Sequence, residues 1–164
     1  MKLRRLSTAD LAAFQAYRGD PDVGRWQGWT PKADAEALAF LDEMATIPLF
    51  QPGQWTQLAI ADDATDQLLG DLGIHIGADG CEAEFGFTLA RAAQGQGLAT
   101  AAIRAAVTLV FEQTAVRRIH AQTDARNTAC VRLLERLPAR LLARIATEFR
   151  GEPCTELRYE LAQR

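Results

Sequence analysis

Short apolar runs bounded by polar turns, and one long apolar stretch in the second half, set out the expected elements of this chain. Residues 3–6 predict a short strand. Ser7-Thr8-Ala9-Asp10 supplies capping chemistry for a helix through about Arg18, which Gly19-Asp20-Pro21-Asp22 breaks. After a loop holding Trp26 and Trp29, Pro31 is placed to open a helix running to about Thr46, ended by Ile47-Pro48. Residues 55–61 predict a strand, 62–66 a turn and 67–77 a returning strand. Asp79-Gly80 is a hairpin turn before a third strand at 81–89. The apolar stretch from Leu98 to about Gln113 is a helix by length, followed by a strand at 118–123 and a helix from Asn127 to about Arg136 that Pro138 stops. Residues 140–149 and 155–162 predict a closing hairpin around Gly151-Glu152-Pro153. Strand, helix, strand requires a parallel crossover. The order as a whole predicts an α/β fold, a mixed sheet of about seven strands with helices on both faces.

The chain has 164 residues, 48% of them hydrophobic, which fits one domain spanning 1–164. Its 18 basic and 21 acidic residues leave a net charge of −3, with no basic field for a nucleic acid. The start, Met1-Lys2-Leu3-Arg4-Arg5-Leu6, is too short and charged for a signal peptide. The most apolar helix is too short to span a bilayer and carries Arg104. A soluble, cytoplasmic protein without a membrane partner is expected, as monomer or homodimer. The three cysteines show no paired spacing and the two histidines stand alone, so neither a disulfide framework nor a metal site is expected.

Chemistry enters at Gln94-Gly95-Gln96-Gly97-Leu98-Ala99-Thr100, between the strand at 81–89 and the long helix. A glycine-rich turn entering a helix leaves N–H groups unpaired at the positive end of the helix dipole, an arrangement suited to phosphate. Glycines let the backbone approach a diphosphate with no Cβ in the way. A dinucleotide motif competes for this loop, because Gly95-x-Gly97-x-x-Thr100 is near G-x-G-x-x-G/A and Asp124 ends the next strand. In that motif the first glycine follows its strand almost directly, whereas Ala90-Arg91-Ala92-Ala93-Gln94 intervenes here, and too little chain remains for six parallel strands.

The acyl-coenzyme A reading rests on a resemblance. Gln94-x-x-Gly97-x-Ala99 matches the Q/R-x-x-G-x-G/A loop of the GCN5-related N-acetyltransferase (GNAT) superfamily. Ala83-Glu84-Phe85-Gly86-Phe87-Thr88-Leu89 is similar to the "AEIGYWL" strand of the branch that includes ribosomal-protein N-terminal acetyltransferases. Asp124-Ala125-Arg126-Asn127-Thr128-Ala129-Cys130 resembles its "D-x-x-N-x-x-S" helix start, and Leu68-Leu69-Gly70-Asp71-Leu72-Gly73 its "LIGDIG" strand. The resemblance covers nearly the whole chain. It implies acetyl-CoA as co-substrate and transfer of its acetyl group to a primary amine, on a peptide N-terminus or a small molecule, by direct attack and without a metal. It assigns the coenzyme's pantetheine to the backbone of Phe87, Thr88 and Leu89, with Asn127 reaching its amides, and its diphosphate to the N–H groups of Gly95, Gln96, Gly97, Leu98, Ala99 and Thr100, and it counts Gln94 among the coenzyme-binding residues. An aminoglycoside-type acetyltransferase and a non-catalytic acyl-CoA-binding sensor remain as alternatives.

Attack on a thioester needs a neutral amine, a route for its proton and an N–H donor for the oxyanion. Glu84 is the candidate base, because strand alternation turns it away from Phe85 and Phe87; His75 is an alternative. Many relatives place an acidic tyrosine where this chain has Leu134, so Cys130, where others have serine, is the candidate proton donor. Trp26 and Trp29 are candidate walls of the acceptor pocket.

Overall fold

The computed structural model describes residues 1–162, the side chain of Ala162 excepted. Seven strands form one sheet: β1 (Lys2–Arg5), β2 (Trp55–Ala61), β3 (Leu68–Ile76), β4 (Glu82–Leu89), β5 (Arg118–Asp124), β6 (Ala139–Phe149) and β7 (Glu152–Ala162). Their spatial order is β1-β2-β3-β4-β5-β7-β6. Every neighbouring pair is antiparallel except β4–β5, which is parallel. The helices are α1 (Leu11–Arg18), α2 (Pro21–Gly24), α3 (Asp34–Thr46), α4 (Leu98–Gln113) and α5 (Thr128–Arg136). The mixed sheet and the parallel crossover agree with the sequence expectation.

Two apolar layers hold the sheet between helices. On one face Leu72, Ile74, Phe85 and Ile119 pack with Ile103 and Val110 of α4 and Leu134 of α5. On the other, Phe14, Tyr17, Ala37, Leu41 and Met44 of α1 and α3 pack on Ala59 and Leu68. Burial of these side chains is the main stabilising term, at roughly 1.5–3 kcal/mol for each leucine, isoleucine, valine, methionine and phenylalanine.

Several strand ends shift by one residue, and three larger differences stand out. The second long helix starts at Asp34 rather than at Pro31, because Glu36 accepts the Ala33 N–H at 3.3 Å and caps it there. Between residues 19 and 25 the chain does not simply break. Asp20 accepts the Asp22 N–H at 2.9 Å and caps the short α2, with Pro21 in its first turn. The last hairpin turns at Arg150-Gly151, both with positive φ (51° and 79°), so Pro153 falls inside β7. Proline is tolerated there because β5 pairs with β7 only from Glu156 onward, which leaves that end of β7 with a single neighbour.

Gly70 permits a close approach that matters for the site. A Cβ built on it would stand 2.1 Å from the Thr88 carbonyl oxygen and 2.9 Å from Leu89 Cα, both backbone atoms. Gly70→Ala is therefore expected to push the end of β4 off β3 and to lower stability by about 1–3 kcal/mol, read as a reduced urea midpoint. An unchanged midpoint would mean that β3 and β4 do not approach so closely.

Candidate functional site

The parallel pairing of β4 with β5 runs only from Glu82–Arg118 to Glu84–His120. Beyond it the two strands splay apart. Ala90 N–H donates to Leu69 O at 2.8 Å. The antiparallel ladder then makes 71–88 and 73–86 the mutually bonded pairs and turns the N–H and C=O groups of Phe85, Phe87 and Leu89 away from β3, toward the gap. A wedge of main-chain donors and acceptors results.

That wedge opens into a cleft of about 1190 Å³, larger than the roughly 300–1,000 Å³ of ordinary small-molecule sites. Its walls are Phe85–Leu89 of β4, Ala121–Thr123 of β5, the start of α4, one side of α5, and Asp22, Val23, Trp26 and Gln27.

The glycine loop forms one end. Gly95 and Gly97 both hold positive φ (75° and 78°), a conformation that costs residues with a Cβ, and nothing lies within 4 Å of either missing Cβ. Gly97 caps α4 with no side-chain acceptor on the helix's first N–H groups. Two glutamines tie the loop down: Gln94 Nε2 donates to Leu89 O at 3.1 Å, and Gln96 Nε2 to Ala92 O at 2.7 Å. Arg91, just before the loop, is neutralised by Asp20 at 3.2 Å and by Asp22.

The residues singled out in the sequence divide in two groups. Trp26, Phe87, Thr88, Leu89, Gln94, Gly95, Gly97, Leu98, Ala99, Thr100, Asn127 and Cys130 all line the cleft. Glu84, Gln96 and Trp29 are not among its lining residues. Gln96 is turned back on its own loop. Trp29 lies over the Arg18 guanidinium at 4.3 Å and donates from Nε1 to Thr88 Oγ1 at 3.3 Å, so it serves as an anchor of the loop rather than a wall. Trp26 is flanked by the guanidinium groups of Arg25 (4.8 Å) and Arg126 (5.4 Å).

Glu84 occupies the last rung of the β4–β5 pairing and accepts from Gln122 Nε2 at 3.1 Å. It projects from the sheet face opposite Phe85 and Phe87, as alternation requires. His75 is its register partner on β3 and stacks on Trp55 at 5.3 Å. Gly86 beside it leaves open space where a side chain would stand. The sheet is therefore approachable at Glu84 from the side opposite α4.

Asn127 Oδ1 accepts the Cys130 N–H at 3.2 Å, which makes it the cap of α5. Burial pushes the Cys130 thiol above its ordinary range, against a lesser pull from Thr123. The thiol is thus protonated at neutral pH. Leu134 is buried against the core.

Gln27, which the sequence reading passed over, donates from Nε2 to Phe87 O at 3.0 Å and so meets the wedge directly. Arg150, from the β6–β7 turn, donates to the carbonyls of Gln27 (2.9 Å) and Trp29 (3.3 Å). No local pattern reveals contacts that span more than 120 positions in the chain. Among the described residues no cluster of His, Cys, Asp or Glu is arranged to hold a metal ion, and no helix is long and apolar enough to cross a membrane.

Known proteins share this fold. A family model described as Acetyltransferase (GNAT) domain matches residues 1–140. A Bacillus licheniformis protein named uncharacterized N-acetyltransferase p20 is 28% identical over 138 residues, covering 84% of this chain and 77% of its own length. The structure of a GNAT-family acetyltransferase from Bacillus anthracis superposes with a TM-score of 0.83 at 18% identity, over 98% of this chain and 93% of that one. Spermidine N-acetyltransferase from Vibrio cholerae, solved with CoA and spermine, gives 0.82 at 21% identity, over 99% and 95%. At such identities the two structural likenesses establish the fold.

Proposed function

This chain belongs to the GNAT acetyltransferase family, and we propose that residues 1–164, as one domain, carry an acetyl group from acetyl-CoA to a primary amine by direct attack. The observation that carries the reading is the junction of the β4–β5 wedge with the glycine loop at the start of α4. A wedge of strand amides suits a chain of amides, and a ring of bare N–H groups at a helix's positive end suits a diphosphate. Pantetheine joined to a diphosphate is that combination, and the cleft's volume accommodates it.

When bound, acetyl-CoA supplies an activated thioester. The protein's own groups do the rest. Phe87 and Leu89 N–H hold the amide chain and place the acyl carbon at the narrow end of the wedge. Gly95, Gly97, Leu98, Ala99 and Thr100 hold the diphosphate, with Gln94 and Gln96 bracing their loop. Asn127 reaches the amides from the α5 side. Glu84, on the opposite sheet face, takes the amine's proton directly or through water, and the protonated thiol of Cys130 is available to the leaving sulfur. Trp26 bounds the acceptor side together with the Gln27 loop.

The acceptor is a small-molecule or peptide amine. The ribosomal-protein branch suggested by residues 68–73, 83–89 and 124–130 favours a peptide N-terminus. The fold shared with the polyamine enzyme puts a polyamine on the same test panel. An aminoglycoside is the third acceptor class. The protein works in the cytoplasm, as monomer or homodimer, without nucleic acid, membrane or metal. A steady-state thiol-release assay with acetyl-CoA against this panel tests the proposal. Turnover on one class names the acceptor; tight acetyl-CoA binding with no turnover on any amine would favour the non-catalytic sensor.

Glu84→Gln is expected to lower kcat roughly a hundredfold, the range of a lost general base, while acetyl-CoA affinity stays put. The loss should fall on kcat and leave the KM for acetyl-CoA in place. A wild-type kcat would remove Glu84 from the proton path.

A further inference from the structure

We infer that Arg104, Arg132 and Arg136 form a binding subsite for the 3′-phosphate of the coenzyme, which makes this chain selective for coenzyme A thioesters over the same thioesters lacking that group. The inference rests on the acyl-coenzyme A reading of the cleft and adds donor selectivity to it.

All three arginines line the cleft, from two different helices. Arg104 lies seven residues after Gly97, so Gly97, Ala101 and Arg104 run along one stripe of α4, with Arg104 about 10 Å along the axis from the anion end. Arg132 and Arg136 are four residues apart on α5 and therefore neighbours on one face. All three side chains are exposed. Among the described residues none of the three makes an ion pair, although eight other lysine and arginine side chains do, Arg91 beside the loop among them. Glu135, between the two α5 arginines, pairs with neither.

Like charges four apart on a helix repel. Three unneutralised cations converging on one cleft, in a chain of net charge −3, are therefore an arrangement that an anion would relieve. The glycine loop already accounts for the diphosphate through backbone N–H groups. The remaining anionic group of the coenzyme is the phosphate on the ribose, one sugar beyond the diphosphate, where a guanidinium can bind it with two parallel N–H bonds.

Calorimetry with acetyl-CoA and with acetyl-3′-dephospho-CoA tests this. The wild-type chain should bind the phosphorylated form roughly ten- to a hundredfold tighter, the scale of one or two charge-assisted contacts, and the preference should shrink with added salt. The combined variant Arg104→Gln, Arg132→Gln, Arg136→Gln should bind both forms alike, near the affinity the wild type has for the dephospho form. Because the three side chains are exposed, its melting temperature should match wild type. Arg117→Gln, an exposed unpaired arginine outside the cleft, should keep the full preference. Equal wild-type binding of the two forms, or a triple variant that retains the preference, overturns the inference and leaves the coenzyme reading standing. A wild-type chain that binds neither thioester overturns both.

Discussion

Asp71→Ala is expected to lower the stability of the protein by about 3–5 kcal/mol, the range seen when one partner of a buried ion pair is removed. Asp71 is 1% exposed, on β3 beneath α1. Its carboxylate accepts from Arg18 at 2.8 and 2.9 Å, from Gln57 Nε2 at 2.7 Å and from the Tyr17 hydroxyl. Burial first, then the Asp71 charge, raises the Tyr17 hydroxyl well above its ordinary range, so it remains a donor. Arg18 is itself 7% exposed, set among the rings of Phe14, Tyr17 and Trp29. Alanine at 71 leaves this guanidinium without a counter-charge and two further donors without an acceptor. The effect is large against a typical total of about 5–15 kcal/mol.

Two controls separate charge from packing. Tyr17→Phe loses one hydrogen bond to the carboxylate and should cost about 1.5–3 kcal/mol, less than loss of the carboxylate itself. Arg18→Met with Asp71→Leu and Tyr17→Phe removes both charges and the buried hydroxyl that donates to them, and should recover most of the loss, because a buried pair contributes little over an apolar replacement. Urea denaturation of the set measures all of this, and a loss below about 1 kcal/mol for Asp71→Ala would mean that the pair is not buried. There is a functional corollary. Arg18 supports Trp29, whose Nε1 holds Thr88 on β4. A partly unfolded Asp71→Ala protein should therefore also show a loosened acceptor loop, seen as faster amide exchange across residues 25–30.

The same cluster marks how far the sequence could be read. Helix α4 and strand β2 were legible to the residue, because a sixteen-residue apolar stretch and a seven-residue run between turns each admit one period. The crossover followed from element order alone. The glycine loop was legible because positive φ selects glycine. What escaped depends on which distant segments meet. Trp26 and Trp29 look alike in sequence, yet one lines the cleft and the other covers a buried arginine, a difference decided by Thr88 and Arg18. Gln27 meets Phe87 sixty residues away, and Arg150 straps the same loop from the last hairpin. Pro31 carried a helix-start signal that the capping carboxylate of Glu36 outweighed by three residues. Local chemistry was readable, and long-range pairing of polar side chains was not.

Gly97→Glu is expected to abolish useful acetyl-CoA binding while leaving the fold in place. Gly97 sits at φ +78°, ψ −1°, so any side chain there bears a strain of about 1–2 kcal/mol. Open space around its Cβ position means that no further clash occurs in the free protein. The new side chain stands among the cleft's lining residues, at the N–H groups proposed for the diphosphate. It would exclude the ligand by volume, compete for those N–H groups and set like charge beside phosphate. Losing even two such charge-assisted contacts weakens binding a hundredfold or more, at ~1.5–3 kcal/mol each. Gly97→Ala bears the same backbone strain without charge or reach, so it should lower the melting temperature as much as Gly97→Glu while keeping most of the affinity. Calorimetry of both variants, with circular dichroism melts, separates strain from exclusion. A folded Gly97→Glu protein with wild-type affinity would move the diphosphate off this loop, and the wedge between β4 and β5 would then need a different ligand.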